Sequence, residues 1–168
     1  NKMYVILNTH HEDEWLLPKK EGYEAVEKQF IKLWEQIGNY YAGYGDYLLF
    51  EGMNEPRIKG GLNEWNGGTS EGREIVNKLN SVFIDTVRST GGNNETRSLL
   101  ITTFAAQPHE MGMKELIVSE GNNIIVSIHA YMPYRFTYYN NETWDLKEWD
   151  GTANYEMASL FQSLDNHF

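Results

Sequence analysis

Glu55 stands in the string Leu48-Leu49-Phe50-Glu51-Gly52-Met53-Asn54-Glu55-Pro56-Arg57, where an apolar run passes into a carboxylate flanked by an amide and a proline. A carboxylic acid held at the end of a buried strand can protonate a leaving oxygen and later deprotonate water, provided its surroundings bring its pKa towards neutrality. Hydrolysis of a glycosidic bond needs one such acid, and Asn54 adds an amide able to grip a sugar hydroxyl beside that bond. The bare tripeptide also fits a turn that merely ends a strand, because Pro56 cannot donate to a sheet ladder. A second group, Thr9-His10-His11-Glu12, follows the apolar run ending at Leu7. Strand alternation would send only one of the two histidines inward. Their spacing is not the His-Glu-x-x-His of a zinc helix, so donors around a sugar and a carboxylate suit them better than metal ligands. Ordinary loop chemistry is the alternative. A third group, His129-Ala130-Tyr131, follows Ile124-Ile125-Val126-Ser127-Ile128. The spacing of two puts His129 and Tyr131 on one face, where Tyr131 can hydrogen-bond a second carboxylate and hold it ionised. A strand-end His beside a packed Tyr is the competing reading. All three groups sit at the same end of an apolar run, and this joint placement carries the functional reading.

The elements that must position these groups are short. Residues 3–7, 47–50, 99–103 and 124–128 are near-continuous runs of β-branched, Leu or aromatic residues, the pattern of strands buried on both faces. Helical faces lie between them. Val26, Phe30, Leu33, Trp34, Ile37 and Tyr41 mark one helix near 23–43, and Ile75, Val76, Leu79, Val82, Phe83 and Val87 mark another near 71–89. A shorter helix is predicted around 109–119. The last starts near Asn154, with Met157, Leu160, Phe161 and Leu164 inward. Gly43, Gly45 and Gly91-Gly92 are read as helix ends. The order βαβαβαβα implies an α/β fold with parallel strands and right-handed crossovers. A doubly wound sheet and part of a (βα)8 TIM barrel both satisfy it. No Gly-x-Gly-x-x-Gly or Gly-Lys-Ser/Thr favours nucleotide binding, and a strand spacing of about 40 residues would give an ordinary barrel of about 320. The barrel is preferred, with about four βα units present. The elaborated segments 8–22, 53–70 and 129–153 all follow strands, the end at which such folds place their sites.

Composition narrows the partners. A net charge of −10, from 14 Lys and Arg against 24 Asp and Glu, excludes a nucleic-acid partner, which would demand a basic patch. No apolar run approaches the roughly 18 residues of a membrane helix, so no membrane partner is expected. Zero cysteines removes disulfides, thiolate catalysis and Cys-ligated metals. With 11 Tyr and 5 Trp, many in loops, sugar-stacking platforms are expected. Trp15 and Trp65 lead, followed by Tyr134, Phe136, Trp144 and Trp149, with lids that merely pack as the alternative. Asn-x-Thr triplets at Asn94 and Asn141 match the glycosylation pattern, which also arises by chance. Both chain ends read as cut, so residues 1–168 are expected to be the central part of one catalytic barrel.

Thr9-His10-His11, Asn54-Glu55-Pro56 and His129-Ala130-Tyr131, in this order and at these distances, resemble strands three, four and six of glycoside hydrolase family 5. The likeness is greatest to its bacterial endoglucanase and xyloglucanase branch. The resemblance implies a retaining endo-β-1,4-glucanase acting on plant cell-wall glucan, with cellulose, xyloglucan, mixed-linkage glucan and mannan left open. By it Glu55 is the acid/base, Asn54 a substrate ligand, and His10, His129 and Tyr131 supporting site residues, with His11 less firmly carried over. It also implies a nucleophilic Glu after strand seven, which lies outside this chain, so residues 1–168 alone are expected to be inactive; a non-catalytic carbohydrate-binding fragment is the alternative reading. Of the glutamates present, Glu12 and Glu14 lie in the first loop, and Glu51 is too deep in its strand to serve. No metal or organic cofactor is needed. The expected partners are a β-glucan polysaccharide or oligosaccharide and the rest of the same catalytic domain. The expected location is extracellular.

Overall fold

A computed structural model describes residues 3–119, 123–138, 148–149, 151–152 and 154–168. Two compact units divide the chain, Asn1–Ile128 and His129–Phe168. In the first, four parallel strands lie in sequence order: β1 (Val5–Asn8), β2 (Leu48–Glu51), β3 (Leu99–Thr102) and β4 (Ile124–Ser127). Helices α1 (Tyr23–Tyr41), α2 (Ser70–Ser89) and the short α3 (Glu110–Glu115) connect them. The register pairs Asn8 with Glu51 and Thr102 with Ser127, so β1 and β2 end level; Glu51 pairs with Leu100, so β3 and β4 end two residues further on.

The helix stripes read from the sequence face the sheet. Phe30 and Trp34 of α1 and Ile75, Val76, Leu79, Phe83 and Val87 of α2 are buried against Phe50, Leu99 and Ile101. Thr69 caps α2, its Oγ1 accepting from the Gly72 N–H at 3.0 Å, which explains the start at Ser70. At the opposite end of the sheet, buried Arg97 donates to the carbonyls of Tyr41, Tyr44, Gly45 and Leu48 and to Asn94 Oδ1. One guanidinium thereby fixes the turn from α1 into β2. Burial pushes its pKa down, partly offset by Asp46.

Several expectations need correction. β3 is buried on both faces and β2 at Phe50 and Glu51, but Val5 and Ile6 of β1 and Ile125 of β4 are 49 %, 53 % and 43 % exposed, because β1 and β4 each have one strand neighbour. Gly43 does follow directly on the end of α1, whose last residue is Tyr41 and whose cap is Ala42, and Gly91 and Gly92 adopt positive φ after α2, whereas Gly43 and Gly45 do not take positive φ. Asn94 is no glycosylation acceptor. It is fully buried, and its amide donates to Gly38 O and Thr90 Oγ1, each at 2.8 Å. Asn141 lies outside the described residues.

In the second unit, α4 (Tyr134–Thr137) is a single turn and α5 (Asn154–Asp165) is amphipathic. Leu160 is buried and Met157 and Leu164 are half-buried, but Phe161, expected inward with them, is 60 % exposed. Among the described residues, no helix is long and apolar enough to cross a membrane.

Candidate active site

A cleft at the carboxyl ends of β1 and β2 is lined by residues 9–13, Leu16 and residues 53–57. Its floor is built by backbone bonds that carry the sheet beyond the end of β2. Gly52 N–H donates to Leu100 O at 3.0 Å, and Asn54 N–H donates to Thr9 O at 3.0 Å. Thr9 Oγ1 returns a bond to Gly52 O at 2.7 Å, and Ala105 N–H reaches Pro56 O at 2.9 Å. Glu55 is therefore held between two pinned neighbours, one tied to the loop after β1 and the other to the loop after β3. Gly52 is needed here, since a Cβ would lie 2.8 Å from the Phe83 ring. Sequence reasoning expected Pro56 to end the strand; the ladder proper ends at Glu51, and the ring of Pro56 falls after the last of these donors.

The Glu55 side chain is 15 % exposed. Arg57 faces it, with Nη1 donating to Glu55 O at 3.0 Å and standing 3.6 Å from Glu55 Oε2. Asn54 Nδ2 lies 3.4 Å from His10 Nε2. Both histidines lie past the strand, contrary to the alternation argument. His11 has φ 61°, and this left-handed turn brings its ring to 4.1 Å from that of His10. Glu51 is buried and accepts from Asn8 Nδ2 at 2.9 Å, so it serves inside the sheet.

Of the two leading tryptophans, Trp15 is half-buried against the core, and its Nε1 donates to Glu12 Oε2. Trp65 is 54 % exposed, and the Arg57 guanidinium sits 4.7 Å over its ring. The loop carrying it is closely built. Gln107 Nε2 donates to Trp65 O, Gly67 N–H donates to Gln107 Oε1, and Arg73 Nη1 donates to the carbonyls of Gly67 and Gly68. Sequence reasoning missed Arg57 and Gln107. Arg57 was legible as the residue directly after Asn-Glu-Pro, while Gln107 arrives from the loop after β3 and left no local signal.

The structure thus brings His10, His11, Asn54 and Glu55 into one cleft. His129 and Tyr131 belong to the second unit, where their rings lie 6.4 Å apart, edge to face. In that unit Phe136 and Trp149 pack on each other at 5.5 Å, and Tyr134 is 54 % exposed. Trp144 lies outside the described residues. Among the described residues, no cluster of three His, Asp or Glu could hold a metal ion.

Glu55 thus stands just beyond the carboxyl end of a parallel strand, in a cleft it shares with His10, His11, Asn54 and Arg57. Residues 1–167 match the family model of cellulase (glycosyl hydrolase family 5), and the chain belongs to that family. It is 47 % identical over 165 residues to endoglucanase A of Ruminococcus albus, a match covering 98 % of this chain and 45 % of that protein. A family 5 xyloglucan-specific endo-β-1,4-glucanase from a metagenomic library, solved with cellotriose, aligns at a TM-score of 0.91 with 35 % identity. That alignment covers 99 % of this chain and 49 % of the other. A family 5 lichenase from Caldicellulosiruptor sp. F32, solved with cellotetraose, aligns at 0.90 with 35 % identity, covering all of this chain and 49 % of the other. The chain spans just under half the length of these proteins, and its four strands are part of a (βα)8 barrel.

Proposed function

We propose that the whole protein is a secreted, retaining endo-β-1,4-glucanase, and that residues 1–168 form the central part of its single catalytic barrel. The observation that carries this reading is the placement of Glu55, little exposed and held between pinned Asn54 and Pro56 at the floor of the cleft. In the first step Glu55 protonates the glycosidic oxygen while a nucleophilic Glu, contributed from outside these residues, attacks the anomeric carbon. In the second, Glu55 takes a proton from water, which releases the sugar with its configuration kept. Asn54 and His10 hold hydroxyls around the scissile bond, His11 flanks His10, and Trp65 offers a ring face to a pyranose. His129 and Tyr131 serve as supporting residues, Tyr131 beside the nucleophile. Related proteins named as endoglucanases, and others solved with cellotriose and cellotetraose, support a glucan substrate. Xyloglucan or mixed-linkage glucan would be cut by the same steps. A polymer outside the cell requires an exported enzyme.

The test is product stereochemistry. The full-length protein on carboxymethyl-cellulose should shorten the chains from within, and proton NMR on a soluble cello-oligosaccharide should show the β-anomer first. Residues 1–168 alone should release nothing. An α-anomer formed first, or hydrolysis by residues 1–168 alone, contradicts the mechanism.

A further inference from the structure

We infer that Arg57 is a positioning residue for the acid/base, holding the Glu55 carboxyl where it can reach the leaving oxygen, and that it ties this geometry to the loop bearing Trp65. The inference rests on the reading of Glu55 as acid/base. Arg57 is 15 % exposed, and its Nε, its Nη1 and its flat face are all engaged. Nη1 donates to Glu55 O at 3.0 Å and faces Glu55 Oε2 at 3.6 Å and Asp13 Oδ1 at 3.7 Å. Nε donates to Glu64 Oε1 at 3.0 Å, and the plane covers the Trp65 ring. Glu64 is itself fixed, because its Oε2 accepts from Gly60 N–H at 2.7 Å. Asp13 brings in the loop after β1 and is also met by Lys59 Nζ at 3.6 Å.

Three carboxylates around one guanidinium are more than the charge of Glu55 alone requires. The arrangement suits a fork that fixes directions: Glu64 and Trp65 orient the plane, and the plane sets the carboxyl. A lysine would keep the charge but lose both the fork and the flat face. Stacking on Trp65 also means that a sugar settling on the opposite face of that ring presses against a support already joined to the acid/base.

The experiment separates leaving groups in the full-length enzyme. Loss of a 2,4-dinitrophenolate needs no proton, whereas loss of a sugar hydroxyl does, and kcat/KM reports only the first step. Arg57→Met should lower kcat/KM on a cello-oligosaccharide by roughly 100-fold, the scale of a misplaced catalytic group. It should leave kcat/KM on 2,4-dinitrophenyl cellobioside within about twofold, and the unchanged substrate doubles as the folding control. Arg57→Lys should fall between, and Glu64→Gln should show the same split in weaker form. Equal losses on both substrates, or no loss on either, would overturn the positioning role. Glu55→Ala is the separate control: if it shows no leaving-group split, the acid/base reading fails before Arg57 is judged.

Discussion

The role proposed for Glu55 rests on its neighbours. A carboxylate can sit on any strand end; here the N–H of the preceding residue is tied to one loop and the carbonyl of the following residue to another. The tryptophans divide in the same way. Trp15 packs on the core with its indole N–H occupied, whereas Trp65 stands half in solvent on a loop clamped by Gln107 and Arg73. Trp65→Ala should therefore weaken cello-oligosaccharide binding by about 1 kcal/mol, read by calorimetry, with little change in Tm. Trp15→Ala should do the reverse and cost roughly 2 kcal/mol of stability, less than a fully buried Trp would. Loss of stability in Trp65→Ala with unchanged binding would reverse the assignment. The sequence offered both tryptophans as equals because both follow strands. Only the packing of Leu16 and Trp15 beneath the first loop distinguishes them. The two histidines were legible as a pair, but the left-handed turn at His11 that stacks them was not, since periodicity carries no signal for one residue of positive φ.

Among elements, the strand–loop–helix order was the most legible level, because continuous apolar runs and 3.6-residue stripes are strong signals. The contacts between loops were not. Arg73, half-buried in α2, forms a two-pronged pair with Glu115 at the end of α3, with Nε–Oε2 at 2.7 Å and Nη2–Oε1 at 3.1 Å. The same residue donates to the carbonyls of Gly67 and Gly68, so it joins α2, α3 and the Trp65 loop. The hydrogen bond from Arg73 holds the Glu115 carboxyl below the usual carboxylate range, outweighing burial. A depressed folded-state pKa contributes stability above the unfolded value, and that contribution is lost as pH falls through the folded value. Protection of the α3 amides, taken relative to the intrinsic exchange rate at each pH, should therefore fall as pH drops below the ordinary carboxylate pKa in the wild-type protein. In Glu115→Gln that protection should be already lower at neutral pH and flat through the same acid range. Identical profiles for the two proteins would remove Arg73–Glu115 from the account. Arg97 makes the same point about legibility: an arginine just before a strand gives no hint that it will gather four carbonyls 49 to 56 residues away.

At the scale of the whole molecule, the chain is a family 5 member that spans 45 % of the Ruminococcus albus endoglucanase A and 49 % of the xyloglucan-specific relative, with β1 carrying a free edge and exposed Val5 and Ile6. Barrel membership was legible because three chemical groups each followed a strand; the open β1 and β4 flanks were not, because the apolar runs of edge and central strands look alike. The central claim is that Glu55 is one half of a carboxylate pair completed by the rest of the barrel, and azide tests it most directly. In the full-length Glu55→Ala variant, 2,4-dinitrophenyl cellobioside should still form the glycosyl-enzyme, since that leaving group needs no proton, but turnover should stall for want of a base. Azide needs no base, so adding it should restore turnover and yield β-cellobiosyl azide. Absence of that product, with turnover indifferent to azide, would contradict the assignment of Glu55 as the acid/base.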